Sequence, residues 1–202
     1  MTIKKIVITG GPCGGKSTAL QWIKNAFSDS EYTVLFVPET ATELITGGVA
    51  PWTCGTNAEY QCCQFALQME KERIFEKAAR TMPKEKILIV CDRGTLDNKA
   101  YMTAEEFAFV LKERGLNETE LLFDYDAVFH LVTAAKGATE CYTTANNAAR
   151  KETVAEAAAL DDKVIAAWTP HPRFYIVDNT TDFEEKMKRL VALIEDFLKE
   201  TD

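Results

Sequence analysis

The run Gly10-Gly11-Pro12-Cys13-Gly14-Gly15-Lys16-Ser17 satisfies the spacing G-x-x-x-x-G-K-[ST] without a mismatch. Such a loop does one kind of chemistry well. Its glycines let the backbone close around a phosphate with the N–H groups turned inward, and the following helix N-terminus adds a partial positive charge. In this pattern the Lys16 ammonium reaches the β- and γ-phosphates, and the Ser17 hydroxyl ligates Mg²⁺. The Thr18 hydroxyl is placed to bond the α-phosphate. The plain alternative is a glycine-rich turn with an incidental lysine. A β-rich run before the loop and an amphipathic stretch after it favour the phosphate loop. Cys13 is read as a loop-filling residue, with oxidation sensitivity as the lesser alternative.

Carboxylates at strand ends are the next chemistry-bearing feature, because ligands of open α/β sheets gather there. Asp92 directly follows KILIVC and is expected beside Ser17, where it would organise Mg²⁺. Arg93 follows it and suits a phosphate of donor or acceptor. Asp97, four residues on, is a weaker candidate for the same cleft. Glu39 ends the second strand in VPET, where a carboxylate can orient an attacking hydroxyl or take its proton. A solvated strand-end acid is the plain alternative.

Three further stretches are candidates for recognition. TGGVAPWTCGT, from Thr46 to Thr56, reads as a loop at the cleft rim, with Trp52 either stacking on a base or plugging the core. Gln61, Gln64 and Gln68 share one helical face, which suits recognition of a base or carboxamide and equally suits a solvated face. Tyr60 and Arg73 are weaker candidates. The polar segment KGATECYTTANNAAR is expected to belong to a lid at about 136–152. Arg150 is its natural cation for the transferred group, with Lys136, Asn146, Asn147 and Lys151 secondary; a surface loop is the alternative. Asn179 and Thr180 follow the fifth strand, where the donor base is expected. An N-K-x-D guanine signature is absent, which leaves ATP and GTP both open.

The elements that must position these residues alternate along the chain. Strands are expected at Ile3 to Thr9, Thr33 to Val37, Lys86 to Cys91, Ala127 to Val132 and Arg173 to Val177. The third is a continuous apolar run, as expected for a strand buried on both faces. Between them run helices: one from Ser17 to Phe27, and four opened by capping boxes at Thr56, Thr103, Thr153 and Thr181, each with Glu three residues on. The last helix carries Phe183, Met187, Leu190, Ile194 and Phe197 on one stripe, read as core packing. Five strands with interleaved helices give an α/β fold: a three-layer parallel sheet with helices on both faces, over residues 1–202 as a single domain.

The 202 residues suffice for a substantial core. Lys plus Arg is 23 against Asp plus Glu 31, and the net charge of −8 argues against a general nucleic-acid or anionic-membrane binder. No apolar run is long enough to span a bilayer, and no signal peptide is expected. Six cysteines without a C-x-x-C pair, with only two histidines, argue against a structural zinc site and for a reducing, cytoplasmic setting. Cys91 is expected in the core.

GGPCGGKST, VPETATELI, CDRGTLDNKAY, NNAAR and WTPHPRFYIVDNTTDFEEK together resemble one P-loop NTPase family with an AAA-type domain. The family includes the ribosylnicotinamide-kinase domain of the bacterial NAD-metabolism regulator and the nucleotide-binding domain of an insect phototransduction trafficking protein. The resemblance runs from Gly10 to about Arg189. It implies a Mg-nucleotide fold of nucleoside-kinase type with strand order 2-3-1-4-5. The expected activity is that of a small-molecule kinase. It would use Mg²⁺ with ATP or GTP as co-substrate and phosphorylate an as yet unidentified acceptor hydroxyl of a nucleoside or ribosylnicotinamide-like compound. Lys16, Arg93 and Arg150 would neutralise the moving phosphoryl group, and Glu39 or Asp92 would activate the hydroxyl. The competing expectation is a nucleotide-dependent switch module with slow hydrolysis and no small-molecule acceptor. An energy-coupled NTPase is a third, and a homodimer is an open arrangement.

Overall fold

The computed structural model describes residues 1–137 and 153–201. Its strands are β1 (Thr2–Thr9), β2 (Tyr32–Val37), β3 (Lys86–Asp92), β4 (Ala127–Leu131) and β5 (Phe174–Val177). They form one sheet in the order β2-β3-β1-β4-β5, and every neighbouring pair is parallel. The register sets Ile8 of β1 opposite Asp92 of β3 and Thr9 opposite His130 of β4. The carboxyl ends of the central strands therefore open at one edge, where the phosphate loop begins.

The helices are α1 (Lys16–Ala26), α2 (Thr40–Thr46), α3 (Asn57–Thr81), α4 (Ala104–Arg114), α5 (Glu118–Phe123), α6 (Val154–Trp168) and α7 (Phe183–Thr201), with a 3₁₀ helix over Thr95–Tyr101. The two-residue period of the strands divides their side chains between two apolar layers. Val7, Ile87, Ile89, Cys91 and Val128 pack with Phe65, Phe107, Leu96 and Trp168 on the α3, α4 and α6 side. Ile6, Ile8, Leu88, Val90 and Phe129 pack with Ile23, Met187, Leu190, Ile194 and Phe197 on the α1 and α7 side. Burial on both faces is why β3 reads as an unbroken apolar run.

Local signals set most helix starts. Thr56 accepts from the Glu59 N–H, while Thr103 and Thr153 each form the full reciprocal box with Glu106 and Glu156. Such a cap contributes about 1 kcal/mol. At α7 the expected Thr181 cap is displaced: the Asp182 carboxylate accepts from the Glu185 N–H at 2.9 Å. A shorter helix starting at Phe183 puts Asp182, not Thr181, within reach of the free N–H groups. Phe183 also leaves the expected buried stripe. It stands half-exposed at the helix start, with its ring edge 2.7 Å from where a Cβ on Gly15 would lie.

Candidate active site

The phosphate loop spans the end of β1 and the start of α1. Gly10 has a φ of 146°, and a Cβ there would fall 2.2 Å from the Leu131 carbonyl oxygen, so only glycine fits. Gly15, in the left-handed region with φ 92°, caps α1. Cys13 also takes a positive φ of 57° within the loop. Lys16 is buried, and its ammonium donates to the carbonyls of Gly10 at 2.9 Å and Gly11 at 3.0 Å. Ser17 and Thr18 are exposed at the first turn of α1.

Two groups that the sequence reading passed over hold this loop from outside. Asp161 of α6 is fully buried and accepts from the Gly11 N–H at 2.8 Å, the Thr133 N–H at 3.3 Å and the Lys136 ammonium at 3.0 Å. It also lies 3.0 Å from His130 Nε2. Burial alone would raise its pKa, but His130, Lys136 and the Gly11 N–H outweigh it and hold the carboxyl down at about 2. Lys186 of α7 donates to the Gly14 carbonyl at 3.2 Å, the Val132 carbonyl at 2.7 Å and Asn179 Oδ1 at 2.8 Å. Burial pushes its pKa down to about 8. One signal for Asp161 was legible. It sits with Ala157, Val164 and Trp168 at helical spacing, a carboxylate on an apolar stripe.

Beside the loop, Arg93 is the hub. It takes a φ of 69°, uncommon for a residue with a side chain. Its Nε donates to Glu39 Oε1 at 2.6 Å, and its Nη1 donates to Asp97 Oδ1 at 3.1 Å and the Gly10 carbonyl at 3.3 Å. Glu39, at the N-terminus of α2, also accepts from the Thr42 hydroxyl at 2.5 Å. Burial opposes its ionisation, yet Arg93 and Lys16 hold its pKa at about 2. Asp97 is committed elsewhere. Besides Arg93 it accepts from the Thr9 hydroxyl, the Gly94 N–H at 3.0 Å and Trp168 Nε1 at 3.1 Å, so it braces the wall instead of facing a ligand with open valences.

Asp92 differs. Its Oδ1 is buried without a hydrogen-bond partner among the described residues. Burial, followed by the Glu39 charge, raises its pKa. A carboxylate oxygen left bare beside the phosphate loop is suited to a divalent cation, whose charge would offset both effects. The residues present therefore fit Mg²⁺.

Against the loop lies a cavity of about 300 Å³, whose walls include Pro12, Glu39, Trp52, Tyr60, Gln61, Gln64, Arg93 and Asn98. Its size is at the small-ligand end of binding cavities. The Gln stripe is not solvated: Gln61, Gln64 and Gln68 are 3%, 7% and 4% exposed. Trp52 is no core plug but stands 69% exposed at the rim. Burial and then Glu39 push the Tyr60 phenol up to about 12, so it stays protonated at neutral pH. Arg73 lies on the surface paired with Glu70 and takes no part.

The remaining candidates fall outside this cluster. Asn179 gives its amide to the Thr133 and Lys136 carbonyls at 2.8 and 2.7 Å and accepts from Lys186, so its side chain joins the β4 and β5 loops. The Thr180 hydroxyl donates to Asp178 at 2.6 Å. Lys136 is paired with Asp161 and Asp162. Arg150, Asn146, Asn147 and Lys151 lie outside the described residues.

Comparison with known proteins agrees with this fold. A family model described as an AAA domain matches residues 5–186. The chain therefore belongs to the AAA-domain family of P-loop nucleotide-binding proteins. Among solved structures it is similar in fold to a deoxyadenosine kinase from M. mycoides with bound dATP. The TM-score is 0.62 at 14% identity, covering 95% of this chain and 99% of that one. No curated protein matches. Among the described residues, no helix is long and apolar enough to cross a membrane.

Proposed function

We propose that the protein is a small-molecule kinase. It transfers the γ-phosphoryl group of Mg-ATP or Mg-GTP to a hydroxyl of a nucleoside or ribosylnicotinamide-like acceptor. The observation that carries this reading is the cavity of about 300 Å³ against the phosphate loop, with Glu39 and Arg93 in its wall. A nucleotide switch needs the loop but not a second cavity beside it. The fold shared with a nucleoside kinase supports the same reading.

In this account the loop N–H groups and Lys16 hold the β- and γ-phosphates. Ser17 and Asp92 hold Mg²⁺, which when bound neutralises phosphate charge. Arg93 stands between the loop and the cavity, where its guanidinium faces charge that builds on the moving group. Glu39 is the preferred partner for the acceptor hydroxyl, because it lines the cavity and Asp92 does not. A carboxylate with a pKa of about 2 is a weak base, so Glu39 acts chiefly by orienting that hydroxyl. Phosphoryl transfer asks for positioning and electrostatics more than for proton abstraction, which suits such a group.

A steady-state assay of nucleotide consumption tests the reading. Mg-ATP and Mg-GTP are each offered with pooled nucleosides, ribosylnicotinamide and nucleoside monophosphates. The expected result is strong stimulation by one pool that vanishes in Lys16→Ala. Consumption indifferent to every pool would count against a kinase.

A further inference from the structure

A chain of amides runs from Gln68, behind the cavity, into its wall at Asn98 and Gln64, and its direction is fixed. Gln68 Nε2 donates to the Arg93 carbonyl and to Glu72 Oε1, both at 3.3 Å. A carbonyl can only accept, so the Gln68 amide has one possible orientation whatever the protonation of Glu72. Its Oε1 then accepts from Asn98 Nδ2 at 3.1 Å. The same Asn98 Nδ2 donates to the Thr95 carbonyl at 3.0 Å, a second group that can only accept. Asn98 Oδ1 is thereby turned to Gln64 and accepts from its Nε2. Two backbone carbonyls thus pin the chain independently, and among the described residues it ends at Gln64 Oε1.

One turn earlier on α3, Gln61 lines the same cavity. Its Oε1 is buried without a partner among the described residues. Residues at this spacing are neighbours on one helix face. A buried acceptor left bare is costly, and a ligand donor would recover that cost.

We infer that Gln61 and Gln64 form an acceptor edge that selects an acceptor molecule carrying an –NH₂ group on its ring, as a carboxamide or an amino substituent, and that Asn98 and Gln68 are positioning residues that fix this polarity. The inference rests on the cavity being the acceptor site proposed above. A molecule with an oxo or carboxylate group at that place meets the Gln64 oxygen with another, and the pinned chain of Gln68, Asn98 and Gln64 cannot turn over to greet it. Discrimination by such sites is strong, because the mismatch leaves buried polar groups unpaired.

The test measures calorimetric binding to the full chain saturated with Mg-ADP, using matched pairs: cytidine and uridine, adenosine and inosine, ribosylnicotinamide and its carboxylate analogue. In at least one pair the amino member should bind about 100-fold more tightly than its partner. In Asn98→Leu, Gln64 is free to turn, and the ratio should fall below about tenfold while Mg-ADP affinity stays within about threefold. Should that variant not fold, Gln61→Met should lower the ratio in the same way. Equal or tighter binding of the oxo member, binding of no member, or an unchanged ratio in the variant overturns the inference. Turnover of the same pairs separates it from the kinase reading. Phosphorylation without preference leaves the kinase and removes the acceptor edge. Preference in binding without phosphorylation does the reverse.

Discussion

Asp161→Asn removes one charge and changes no volume, yet should affect both stability and nucleotide binding. Asp161 is fully buried and collects the Gly11 and Thr133 N–H groups, the Lys136 ammonium and the His130 ring. The depression of its pKa from the ordinary 3.8 to about 2 corresponds to about 2 kcal/mol of folding free energy at neutral pH. The substituted amide also turns an NH₂ towards donors, which brings the expected loss to about 3 kcal/mol. The sign follows from the depression. This contribution is complete above pH 3.8 and disappears as the pH falls through about 2. Urea unfolding at pH 7 should therefore show a variant destabilised by about 3 kcal/mol, and the gap should narrow at pH 3 as the wild type weakens. Because the Gly11 N–H loses its anchor, Mg-ATP affinity should also fall about tenfold. A variant within 0.5 kcal/mol of wild type at pH 7, with the same response to acid, would refute the reasoning.

Two other substitutions address the chemistry. Glu39→Gln should lower kcat at least about 100-fold while leaving nucleotide affinity within a few fold, because Glu39 lines the acceptor cavity while the loop backbone and Lys16 carry the phosphates; full turnover in this variant would remove its role. Asp92→Asn should raise the Mg²⁺ concentration needed for half-maximal activity by about tenfold or more, read from a magnesium titration at fixed nucleotide; an unchanged requirement would place the cation elsewhere.

Most of the fold was legible because its signals are local. The β-rich runs before Gly10 and Asp92 became β1 and β3, and hydroxyl–Glu spacings marked the starts of α3, α4 and α6. The phosphate loop was legible for the same reason, since its residues are contiguous. What escaped depends on tertiary contacts. The short helices α2 and α5 and the 3₁₀ turn carry too few residues for a periodic pattern. The Arg93–Glu39 pair joins strand ends 54 residues apart, and nothing in either neighbourhood announces the other. The Gln stripe looked as much like a solvated face as a recognition surface. Only Asn98 and Gln68, reaching across from the 3₁₀ turn and along α3, turn it inward. Asn179 and Thr180 stand where a donor-base site was expected, but Lys186 and Asp178 occupy their side chains.

The most direct test of the kinase account follows the phosphoryl group itself. Nucleotide labelled with heavy oxygen at the γ-position is incubated with the full chain and the acceptor pools, and the products are resolved by mass spectrometry, with Lys16→Ala as control. The account predicts that the label appears on an acceptor hydroxyl with the wild type and is absent with the control. Label found only in inorganic phosphate, at a rate no acceptor changes, would contradict it and favour a nucleotide-dependent switch.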